Sequence, residues 1–131
     1  MTALIDTNVL VRHLTGQPAA QAAAATRFLA QEAELILEDL VFAEVAYVLA
    51  SVYGASAADV AASLRAILAF PSIRVRDADL LQRSVEVFEL RKVGFTDAYL
   101  IAAAERSGVG VIASFDRQID RVTTVRRLEP A

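Results

Sequence analysis

Apolar positions along this chain alternate between short runs and helical spacing, and glycine, proline and small polar residues punctuate the changes. Residues 2–6 form an apolar run that stops at Asp6. That pattern predicts a strand carrying a carboxylate at its carboxyl-terminal tip, with Thr7 and Asn8 opening a helix over 8–14. Gly16 and Pro18 close this helix, and an alanine-rich stretch with Phe28 and Leu29 predicts a second helix over 18–33. Leu35-Ile36-Leu37 marks a second strand within 34–38, and 40–53 is a strongly apolar helix stopped by Gly54. Ser56 and Asp59 stand in capping-box spacing at the head of a helix over 57–70, which Pro71 ends. Residues 73–75 predict a brief strand, and 77–93 an amphipathic helix. Gly94-Phe95-Thr96-Asp97 punctuates the start of a helix over 98–106, with Thr96 as its expected cap. A buried-type strand over 109–113 ends in Ser114-Phe115-Asp116, and a last strand is expected over 122–128.

Strands alternating with helices predict an α/β fold, a three-layer α/β/α sandwich with a mostly parallel central sheet of four to five strands. In such sheets ligands bind outside the carboxyl ends of the strands. Asp6 and Asp116 both stand at ends of that kind. A chain of 131 residues is expected to form a single domain.

Composition narrows the chemistry. Hydrophobic residues make up 56% of the chain, more than a typical globular domain carries. The longest apolar stretch, 40–50, is interrupted by Glu44 and falls short of the ~18–20 residues a membrane span requires. With no signal-like start either, the expectation is a soluble, cytoplasmic protein whose surplus apolar surface a partner covers. There is no cysteine, which excludes disulfides and thiolate metal sites. The single histidine, His13, leaves little room for histidine-ligated zinc or a Ser-His-Asp triad, and is expected to be an ordinary residue of the first helix. Any metal should be a hard cation held by carboxylates. The net charge of −3 argues against generic nucleic-acid binding. Setting aside four of the sixteen acids as ligands leaves twelve against thirteen basic residues, or +1. Arg117, Arg121, Arg126 and Arg127 fall close together near the end.

Four carboxylates then call for explanation, each with an ordinary alternative. Asp6 is equally suited to cap the helix that follows it, and Asp116 to close a strand-to-turn corner. Glu44 is the one charge in a helix apolar on all sides, so it is expected to be buried and paired, protonated or metal-bound, unless that helix turns a face to solvent. Asp97, in a helix's first turn, would complement the helix dipole. Taken together, acids at strand ends, a helix start and a helix interior, with no histidine or cysteine to help, suit Mg²⁺ or Mn²⁺.

Leu4-Ile5-Asp6-Thr7-Asn8, Ala43-Glu44, Gly94-Phe95-Thr96-Asp97-Ala98-Tyr99-Leu100 and Ser114-Phe115-Asp116-Arg117 resemble the four signature segments of the PIN domain, and more narrowly those of VapC-type toxins of type II toxin–antitoxin systems. The resemblance runs through nearly the whole chain and implies a single PIN-like nuclease domain over 1–131. It implies that Asp6, Glu44, Asp97 and Asp116 are catalytic and bind Mg²⁺ or Mn²⁺, with Thr7, Asn8, Thr96 and Ser114 supporting them. It also implies metal-dependent endoribonuclease activity as the toxin of the pair, a cognate antitoxin as inhibitor, and a homodimer. Many relatives carry a further acid two residues after the aspartate of Phe-Asp-Arg, where this chain has Gln118, and Asp120 lies on another side of the turn.

On that reading a metal-activated water would hydrolyse an RNA phosphodiester, and arginines would hold the backbone: Arg117 foremost, then Arg12 and Arg121, with Arg126 and Arg127. A haloacid-dehalogenase-like phosphatase also begins with a strand ending in aspartate, but needs a second acid where this chain has Asn8. A phosphoacceptor receiver domain wants a lysine at the end of a late strand, whereas Lys92 falls in a predicted helix. A catalytically silent module binding RNA or antitoxin is the alternative from another class.

Overall fold

The computed structural model describes residues 1–31 and 33–131. Two compact units divide it, Met1–Arg76 and Asp77–Ala131.

In the first unit, β1 (Thr2–Leu4), β2 (Glu34–Ile36) and β3 (Ile73–Arg74) pair in parallel with β2 in the middle. Thr2 pairs with Glu34 and Leu4 with Ile36, while Leu35 pairs with Ile73. Parallel strands require crossovers, and helices supply them. α1 (Thr7–Thr15) and α2 (Ala19–Leu29) connect β1 to β2, and α3 (Asp39–Ser51) and α4 (Ala57–Leu68) connect β2 to β3. Each helix buries one stripe, Leu10 and Val11 in α1, Phe42, Val45, Ala46 and Leu49 in α3, and Val60, Ala61, Leu64 and Ile67 in α4. The Ser56 hydroxyl accepts the Asp59 amide at 3.1 Å, as its spacing predicts. Gly16 closes α1 at φ 73°, a left-handed conformation that side chains resist and glycine adopts freely. The helix expected over 18–33 ends at Leu29; of its predicted extent, Glu32 lies outside the described residues.

In the second unit, α5 (Ala78–Arg91) and α6 (Phe95–Ser107) pack together ahead of β4 (Val111–Ala113) and β5 (Arg126–Leu128), which pair in parallel. Val87, Val93, Ala98, Ile101, Ile112, Ile119 and Val122 form its core. α6 begins three residues earlier than expected, because Gly94 and not Thr96 is its cap. The strand expected over 122–128 is confined to β5. Ahead of it, Arg117–Arg121 turn into a 3-10 helix that the apolar pattern does not announce.

The five expected strands are thus present and all paired in parallel, three in one sheet and two in the other. No helix among the described residues is long and apolar enough to cross a membrane. The surplus of apolar residues does reach the surface, Leu40 at 80% and Tyr47 at 67% exposure on α3.

Candidate metal centre

The Ile5 amide extends the β1–β2 ladder by one bond, donating to the Ile36 carbonyl at 3.0 Å. The chain then leaves the sheet, and Asp6 holds the last extended residue before α1, at φ −93° and ψ 158°. Its carboxylate accepts the Thr7 amide at 2.7 Å. Asp6, not Thr7 or Asn8, therefore caps this helix, and the capping reading of Asp6 holds alongside any other role.

Glu44 is exposed, not buried. The buried stripe of α3 runs through Phe42, Val45, Ala46 and Leu49, which places Glu44 with Leu40 and Tyr47 on the outward side. Apolar residues on that outward face made the helix read as enclosed. Asp6 and Glu44 nonetheless line one cavity of about 280 Å³, together with Thr7, Asn8, Arg12 and Tyr53. Thr7 is only 6% exposed, and its Oγ1 is buried with no hydrogen-bond partner among the described residues. Tyr53 gave no signal in the sequence, since nothing local distinguishes it from an ordinary helix-end aromatic.

In the second unit Asp97 occupies the first turn of α6 and Asp116 caps the 3-10 helix. Their carboxyl groups lie within hydrogen-bonding reach of each other. Burial, the hydrogen-bonding proximity of Asp116 and its negative charge, in that order, raise the Asp97 pKa above its ordinary value. Asp116 is fixed from both sides: its amide donates to Ser114 Oγ at 2.9 Å, and its Oδ1 accepts the Gln118 amide at 2.9 Å. Ser114 thus supports Asp116 directly, whereas Thr96 is exposed in the first turn of α6. Asp120 faces another way, gripped by Arg127 through two bonds of 3.0 and 3.2 Å.

The expected arginines differ in their engagements. Arg12 bonds Gln21 and reaches the Asn8 carbonyl at 3.4 Å. Arg121 donates to the Lys92 carbonyl at 2.7 Å. Arg127 is 12% exposed and holds Asp120, Glu129 and the Ser114 carbonyl, a structural clasp. Arg117 and Arg126 are exposed. His13 is held by Thr26 Oγ1 at 2.8 Å and by the edge of Phe70, and burial lowers its pKa, as befits a neutral structural imidazole.

These residues suit a hard cation. Two neighbouring carboxyls that repel one another suit a divalent ion between them, and a buried hydroxyl without a partner beside Asp6 and Glu44 suits an oxygen-rich ligand shell. Within neither unit do three or more acids or histidines gather as a metal-binding group among the described residues.

A family model described as "PIN domain" matches residues 3–125. Among curated proteins none matches the chain. One similar solved structure is the crystal structure of VapBC2 from Rickettsia felis bound to a DNA fragment from their promoter. It is 16% identical, the match covers 98% of each chain, and the TM-score is 0.40.

Proposed function

The chain belongs to the PIN-domain family, and on that premise we propose that it is a metal-dependent endoribonuclease, the VapC-type toxin of a toxin–antitoxin pair. PIN domains are generally nucleases. The narrower reading draws support from the four signature segments occurring in order along the chain. The observation that carries the catalytic part is the Asp97–Asp116 pair, two acids close enough that burial and the neighbouring carboxylate hold the Asp97 pKa above its ordinary value.

Asp6, Glu44, Asp97 and Asp116 would hold Mg²⁺ or Mn²⁺. When bound, the ion would offset the charge of these carboxylates, acidify water and stabilise negative charge on the scissile phosphate. The chain's own residues set the rest. Ser114 and the Gln118 amide orient Asp116. His13, tied to Thr26 and packed on Phe70, is not placed to act as a base, so a proton leaving water falls to a carboxylate. Thr7 Oγ1 would donate to a ligand of the Asp6–Glu44 cavity. A cognate antitoxin, a homodimer and a cytoplasmic setting complete the reading.

Purified protein incubated with mixed tRNA and rRNA tests it. Wild type should cut with Mg²⁺ or Mn²⁺ and not with EDTA, Asp97→Asn should cut under neither condition, and sequencing the ends names the target. Cleavage that persists in EDTA or in Asp97→Asn overturns the mechanism, and intact RNA under every condition favours a silent binding module.

A further inference from the structure

α1, α5 and α6 all end in a left-handed residue. For α1 and α6 it is glycine, Gly16 at φ 73° and Gly108 at φ 79°. For α5 it is Lys92 at φ 55°, the one non-glycine residue with positive φ among the described residues. A side chain in that conformation is strained by the contact of its β-carbon with the backbone, which glycine avoids. Stability alone therefore favours glycine at position 92. Compensating the helix dipole does not explain the lysine either, because Arg91 already stands in the last turn of α5. Such an outlier points to a use for the side chain.

Its surroundings say what use. Arg121 donates to the Lys92 carbonyl at 2.7 Å, satisfying a carbonyl left over at the end of α5 and bringing a second cation to the base of the lysine. The acid beside Arg121 in sequence, Asp120, is committed to Arg127. Basic residues of this unit thus sort into two sets. Arg83, Arg106 and Arg127 are neutralised by carboxylates. Arg91, Lys92, Arg117, Arg121 and Arg126 are exposed and have no carboxylate partner among the described residues. Apart from Arg126 on β5, the unpartnered set flanks the two acids in sequence. Lys92 lies five residues before Asp97, and Arg117 and Arg121 belong to the 3-10 helix that Asp116 caps.

We infer that Lys92, with Arg121 braced against its carbonyl, is a binding site for the phosphodiester backbone of single-stranded RNA. Lysine suits this task as a mobile point charge for a phosphate. An acidic centre needs cations beside it to retain a polyanion, and these lie on the same unit as Asp97 and Asp116. The inference rests on the ribonuclease reading for its choice of ligand.

Binding of a fluorescein-labelled single-stranded RNA, followed by anisotropy in EDTA across a salt series, tests it on the full chain. Losing one backbone contact lowers the slope of log affinity against log salt by about 0.7 and the affinity at 0.1 M salt by about fivefold. Lys92→Gly should show both losses with an unchanged circular-dichroism spectrum, since glycine keeps the backbone conformation and the carbonyl that Arg121 uses. Lys92→Arg should retain the wild-type slope. Wild-type affinity and slope in Lys92→Gly overturn the site while leaving the ribonuclease reading intact. A slope that depends on Lys92 in a protein that never cuts RNA upholds the site and removes the nuclease reading. A wild type that binds no RNA overturns both.

Discussion

Asp97 and Asp116 bring two carboxyl groups together, and burial and the neighbouring acid raise the Asp97 pKa. Asp97→Asn removes one of two neighbouring like charges and offers Asp116 a donor. We expect the metal-free variant to be at least as stable as wild type at neutral pH. Mn²⁺ at a hundredfold excess over its dissociation constant should stabilise wild type by about 2.7 kcal/mol and the variant not at all. Urea unfolding with and without Mn²⁺ measures both, and an equal Mn²⁺ effect in the two proteins removes Asp97 from the ligand set.

Thr7 separates stability from function. A buried hydroxyl without a partner costs about 1–3 kcal/mol. Thr7→Val removes it at nearly constant shape, so the metal-free protein should gain about 1 kcal/mol while Mn²⁺ affinity and RNA cleavage fall. Calorimetry with Mn²⁺ and thermal unfolding check the two halves separately.

Glu105 sets an acid limb of stability. It accepts Arg83 through bonds of 2.8 and 2.9 Å and also bonds Thr124, and the Arg83 hydrogen bonds foremost pull its pKa below the ordinary 4.5. A lowered carboxyl pKa means the folded state binds the proton less tightly than the unfolded chain. The stabilisation is therefore present above pH 4.5 and disappears as pH falls through the lower folded value. Arg83 is a third exposed, so solvent moderates the effect to about 1 kcal/mol. Glu105→Gln should lower stability by that amount at pH 7 and flatten its decline between pH 5 and 3, measured by urea midpoints.

Gly108 isolates a backbone effect. A β-carbon there would meet nothing within 4 Å, so Gly108→Ala suffers only from φ +79°. The expected loss is about 1–2 kcal/mol in chemical denaturation. A neutral substitution would mean that the α6 terminus relaxes freely.

Local signals account for most of the agreement between pattern and structure. Gly16 and Gly108 stop helices because the left-handed conformation is cheap for glycine, and Ser56 starts one because its hydroxyl reaches Asp59. Each interaction spans a few residues, so neighbours in sequence suffice to reveal it. Glu44 is hard to place from sequence for the opposite reason. Composition around it is apolar on every side, and only the stripe that packs, Phe42, Val45, Ala46 and Leu49, tells inside from outside.

Sequence by itself determined the α/β order, the parallel strands and the four acids, because periodicity and residue chemistry are written locally. Tertiary structure alone decided that Asp116 lies against Asp97 nineteen positions away and that Arg127 draws Asp120 aside. It also decided that Lys92 holds a place where glycine would be cheaper. Charges and strained residues acquire meaning from what folding brings next to them, and no pattern of neighbours along the chain encodes that distance.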